Sequence, residues 1–116
     1  MNNTNGAVDF EKFKIETSLD EETVKELYQG FLEEILEEKD KLLLQYAAGE
    51  YDRLSRTVHN IKGISSSYMT AAVYKRSMEL DARLKDKNTE EIGTVVNMLV
   101  NDIIEAAGEI ISYCRL

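Results

Sequence analysis

One histidine, His59, stands in the 116-residue chain, followed by Lys62, Gly63 and Ser66. A neutral imidazole nitrogen is a competent nucleophile near pH 7, because histidine titrates near about 6.5. A phosphoimidazole N–P bond is labile enough to hand the group on. A lysine three residues along a helix reaches the same neighbourhood, and its ammonium offsets added negative charge without bonding covalently. Gly63 lies one turn after His59, and a mid-helix glycine costs about 1 kcal/mol against alanine. Removing the side chain there clears space above the imidazole for an approaching group. These residue types at this spacing suit phosphoryl carriage, which is mostly positioning and charge stabilisation.

A lone histidine is more often structural than chemical, so its placement decides between the two. On a helical wheel with Leu54 at zero, Val58, Ile61, Ser65 and Tyr68 fall within about 40° of it. His59 falls near 140°, Gly63 near 180°, Ser66 near 120° and Lys62 near 80°. The histidine therefore points away from the apolar stripe, where a core histidine would not. Charge converges on the same spot. The window from Arg53 to Met78 holds no acid, where even spacing of the chain's 22 acids would put roughly five. It holds instead Arg53, Arg56, Lys62, Lys75 and Arg76, so an anion on His59 would be stabilised.

The elements that carry these residues read as helices. Proline is absent and glycines number six, too few breakers for a β-rich chain of this length. Residues 1–6 read as a flexible tail, and Val8, Phe10, Phe13 and Ile15 as one face of a short lid helix. Ser18–Glu21 has the capping-box pattern and predicts the start of a long helix over 20–48. Its inward residues are Val24, Leu27 and Tyr28, Phe31, Ile35, Leu42 and Leu43, and Tyr46, with Glu33, Glu34, Glu37 and Glu38 on the solvated side. Gly49 stops it. A third helix over 50–68 carries the histidine, and a fourth over 70–87 turns Val73, Ser77, Leu80 and Leu84 inward. Asn88–Glu91 reads as another capping box, opening a last helix with Ile92, Val95, Val96, Leu99, Ile103, Ala106, Ala107, Ile110 and Cys114 inward. The expected fold is all-α: an antiparallel up-down four-helix bundle with a short extra N-terminal helix, forming one domain over 7–116.

Composition excludes much else. The formal net charge of −8 disfavours nucleic acid and anionic membrane as partners. No apolar run approaches a membrane span, and the polar start MNNTNG lacks a signal-peptide core. One cysteine, Cys114, permits no internal disulfide and fits a reducing compartment. A di-iron bundle needs Glu-x-x-His motifs, and Arg56 stands three before His59. There is no Gly-rich phosphate loop.

The run His59-Asn60-Ile61-Lys62-Gly63-Ile64-Ser65-Ser66 resembles the histidine-containing phosphotransfer (HPt) domains of two-component phosphorelays, whose motif is His-x-(Leu/Ile)-Lys-Gly followed by small residues. The likeness extends to an acid-rich helix ending at Ala48-Gly49-Glu50 and to Leu80-Asp81 on the next helix. Met69 stands where the family often has glycine, and Ile64 where it prefers a small residue. The resemblance implies that His59 accepts the phosphoryl group at its outer ring nitrogen, that Lys62 helps hold it, and that Gly63 and the small Ser66 leave a partner room to dock. It implies that Asp81 orients the imidazole through the other nitrogen.

The expected role is a phosphorelay intermediate and phosphoprotein without autonomous kinase activity, cytoplasmic and monomeric. Its partners are the receiver domains of response regulators, with a hybrid histidine kinase as a further source. No cofactor or metal is expected on the chain, the Mg²⁺ belonging to the receiver. Three alternatives stand beside this. A dimerisation-histidine domain carries an acid after its histidine and a nearby proline, where this chain has Asn60 and no proline. A helical adaptor would bind a receiver without taking phosphate. An autonomous enzyme lacks an acid partner for the histidine in its own segment.

Overall fold

The computed structural model describes residues 6–115; apart from Gly6, the tail expected over 1–6 lies outside them. Every element of regular structure among these residues is a helix: α1 (Phe10–Thr17), α2 (Glu21–Ala47), α3 (Tyr51–Ser67), α4 (Ala71–Lys85) and α5 (Ile92–Cys114). The five form a compact globule. α2 and α4 each pack against both α3 and α5, and α1 lies on α2. None of the described helices is long and apolar enough to cross a membrane.

The long apolar faces bury as their periodicity predicts. On α3 the buried set is Leu54, Thr57, Val58, Ile61 and Ser65. On α5 it is Ile92, Val95, Val96, Leu99, Ile103, Ala106, Ala107 and Ile110. Four residues depart from expectation: Leu27 and Leu43 lie at the edge of the α2 apolar face and are exposed, and Ile15 and Glu38 depart further. Ile15 is 73% exposed, because two residues past Phe13 it has turned about 200° to the opposite side of α1. Glu38 is buried, because it follows Ile35 by three residues and so shares its face. Lys41 donates to its Oε2 over 3.0 Å, while Oε1 has no partner among the described residues.

Neither expected capping box forms. Ser18 adopts φ 57° and closes α1, its N–H donating to the Lys14 carbonyl at 2.9 Å. Asp20 caps α2 instead, Oδ1 accepting from the Thr23 amide at 2.8 Å. The Asn88 amide is committed backwards to the Arg83 carbonyl at 3.0 Å. α5 therefore starts only at Ile92, with no side-chain cap at Glu91.

Gly49, Met69 and Lys87 end α2, α3 and α4 in the same way. Each has φ between 55° and 69°, and the following amide reaches back to the carbonyls of Gln45, Ser65 and Arg83. This left-handed termination satisfies orphan helix carbonyls and makes the tight turns between neighbours. Met69 adopts the left-handed conformation that a glycine would take more readily.

One end is sealed by aromatic rings. Phe31 stacks on Tyr68 with centroids 4.6 Å apart, Phe13 on Tyr68 at 5.3 Å, and Phe10 on Tyr113 at 4.0 Å. Burial pushes the pKa of the Tyr28 hydroxyl up, and the group donates to the Tyr68 carbonyl at 2.7 Å. The Glu109 carboxylate accepts from the amides of Ala7 at 2.7 Å and Val8 at 3.0 Å, which ties the segment leading into α1 to α5.

Candidate functional site

Leu54, Val58, Ile61 and Ser65, fully buried at four-, three- and four-residue steps, fix the roll of α3. That roll turns His59, Gly63 and Ser66 to solvent and leaves Lys62 half-buried beside them. His59 sits at the middle of the 17-residue helix, away from its fraying ends. Its ring has no hydrogen-bond or ion-pair partner among the described residues, so both nitrogens are open to an incoming group. Ile64, where the resemblance leads one to expect a small residue, is partly buried against the core.

Gly63 has helical backbone, and a Cβ built on it would meet no atom within 4 Å. Neither φ nor crowding inside this chain requires glycine there. Gly63→Gln is therefore expected to stabilise the fold by several tenths of a kcal/mol through helix propensity, measured by urea denaturation, while slowing phosphoryl transfer from a receiver by obstructing its approach. A less stable variant would show that the site is crowded after all.

Lys62 and Asp81 join α3 to α4. The Lys62 Nζ lies 3.2 Å from Asp81 Oδ2, and Lys85 Nζ reaches the same oxygen at 3.1 Å. Burial pushes the Asp81 carboxyl up, but hydrogen bonds from Lys85 and Lys62 and their charges outweigh it and hold the group below the ordinary aspartate range. This bridge contributes stability above that range and loses it as pH falls through the lowered value. The resemblance gave Asp81 to the imidazole. Here its carboxylate is engaged by the two lysines, and among the described residues no hydrogen bond joins it to His59.

The basic window divides in three dimensions. Arg76 is neutralised by Asp102 at 3.0 Å and Glu79 at 3.2 Å. Lys62 is paired with Asp81 but shares that carboxylate with Lys85, so the cluster keeps one net positive charge. Arg56, one turn before His59 on the exposed side, and Lys75 on α4 have no ion-pair partner among the described residues and are exposed. Ser66 lines a hollow of about 230 Å³ with Lys12, Met69, Ala71 and Tyr74, beyond the histidine toward the α3–α4 turn. No group of three or more His, Cys, Asp or Glu side chains placed to hold a metal ion occurs among the described residues.

Sequence reasoning passed over Lys85. Its four-residue spacing from Asp81 on one helix was the available signal. That Lys62 shares the carboxylate depends on how α3 and α4 align, which spacing along the chain does not contain. Among known proteins, the chain matches no family model, no curated protein and no solved structure.

Proposed function

We propose that the chain is a phosphorelay intermediate: His59 accepts a phosphoryl group from an aspartyl phosphate on a receiver domain and passes it to the aspartate of another. One observation carries this reading. The only imidazole of the chain stands exposed, and without a partner among the described residues, at the middle of a helix locked by buried side chains, with a bare glycine one turn on and a lysine three residues along whose ammonium rests on Asp81. In the transfer a neutral ring nitrogen attacks phosphorus. The N–P bond forms as the P–O bond to the receiver aspartate breaks, and that bonding pair leaves on the carboxylate. Onward transfer runs the same exchange toward a second aspartate. The partner brings the acidic residue and its Mg²⁺, and this chain brings a nucleophile on a rigid support, with no kinase activity of its own.

The packing of α2 and α4 against both α3 and α5, with short turns between successive helices, supports an antiparallel four-helix bundle crossed at one end by α1. The acidic surface and lone cysteine support a cytoplasmic monomer acting on receivers, not on nucleic acid or membrane.

The test is incubation with a panel of purified receivers carrying labelled aspartyl phosphate. Label moving to this chain supports a carrier. Stable binding without label would make it a receiver-binding adaptor. The bond can be identified as well. Protonating a phosphoimidazole creates a neutral leaving group, so acid should strip the label and base preserve it. Hydroxide attacks the carbonyl of an acyl phosphate, so base would strip that species, and a serine ester would survive brief acid. Label that resists acid or is lost in base would remove His59 from the mechanism.

A further inference from the structure

The two lysines on Asp81 are not equivalent. Lys62 projects from α3 three residues after the histidine and is drawn toward α4. Its side chain is 27% exposed, and that of Asp81 is 8% exposed. Lys85 comes from α4 itself, one turn after Asp81, and its side chain is 69% exposed. Of the two, only Lys62 stands on the helix that carries the imidazole, three residues from it. If it turns to a phosphoryl group on His59, it leaves a carboxylate largely shut off from water. A buried carboxylate stripped of its counter-ion is strongly disfavoured. Lys85 already lies 3.1 Å from the same oxygen, so the carboxylate keeps a cation when Lys62 departs.

We propose that Lys85 is a positioning residue, a reserve counter-ion that keeps Asp81 compensated and so frees Lys62 to exchange from Asp81 to the phosphoryl group on His59. This rests on the phosphorelay reading and adds a residue to it. The exchange makes and breaks ion pairs only, and no covalent bond changes in it. Before phosphorylation Lys62 and Lys85 share one oxygen. Afterwards Lys62 faces the phosphoryl oxygens and Lys85 alone holds Asp81. Asp81 is then a parking place for Lys62, and the strength of Lys85's hold sets how readily Lys62 leaves.

The experiment compares initial rates of His59 phosphorylation in the full chain, using potassium phosphoramidate as a small donor that needs no receiver docking, with phosphohistidine followed by ³¹P NMR. Lys85→Gln is expected to slow acceptance about fivefold, the scale of one partly exposed ion pair, and Lys85→Arg to restore it. Lys62→Ala should also slow acceptance. In that background Lys85→Gln should add nothing, because no lysine remains to be released. Urea denaturation of each variant verifies that the comparison is between folded proteins. A Lys85→Gln rate equal to wild type, an equal loss in the Lys62→Ala background, or a failure of arginine to rescue would overturn the exchange and leave the phosphorelay reading standing. A wild-type protein that takes no label on His59 from phosphoramidate or from any receiver would overturn both.

Discussion

His59→Gln is expected to abolish phosphoryl acceptance and leave the fold within about 0.5 kcal/mol of wild type, as for other exposed substitutions away from structural contacts. Glutamine keeps a polar side chain on α3 but offers an amide, whose nitrogen lone pair is delocalised and not nucleophilic at neutral pH. The prediction separates chemistry from architecture because His59 is exposed and its ring bonds to no other described residue. Receiver-dependent labelling and urea denaturation measure the two halves. Retained labelling would place the acceptor on another residue. A loss of several kcal/mol would mean that the imidazole supports the fold, contrary to its position outside the Leu54–Val58–Ile61 stripe.

Phe31→Ala is expected to cost about 3–5 kcal/mol, the range for truncating a buried aromatic ring. Phe31 is 1% exposed. It stacks on Tyr68 at 4.6 Å and meets the edge of Tyr28 at 6.3 Å, so alanine leaves a void that rings fixed on three elements cannot easily close. Tyr68 in turn stacks on Phe13, and loosening it should also weaken the hold on α1. Denaturant unfolding gives the magnitude, and earlier proteolysis around α1 would report the local effect. A cost below about 1 kcal/mol would show that the aromatic end repacks freely. Where the variant remains folded, His59 should still take label, because it lies more than two turns from Tyr68.

The positions of the helices are legible in the sequence because their apolar residues repeat at helical spacing over several turns, as Leu54, Val58, Ile61 and Ser65 do on α3. Their starts are less so. Ser18 and Asp20 both suit an N-cap, and the choice between them turns on Ser18 being needed to close α1. Asn88 looks like a cap for α5 until its amide is seen completing the end of α4. Glu38 reads as solvated by residue type, while its place on the wheel beside Ile35 makes it buried. At the candidate site, the exposure of His59 and Gly63 follows from the α3 wheel alone. The Lys62–Asp81–Lys85 cluster does not, because it joins two helices whose relative register is a tertiary property.

The stack of Phe10 on Tyr113 has a consequence for how the chain is wired. It sets the beginning of the first helix against the last turn of the fifth, at one pole of a molecule 43 Å long. The two ends of the described chain therefore emerge side by side, and the linear order of the helices is close to a ring. Circular permutation, with the ends joined by a linker and the chain reopened in the exposed segment around Lys87–Glu91, leaves each helix its neighbours. Modules joined at Gly6 and Arg115 would start from that same pole, away from the middle of α3 along the side of the molecule.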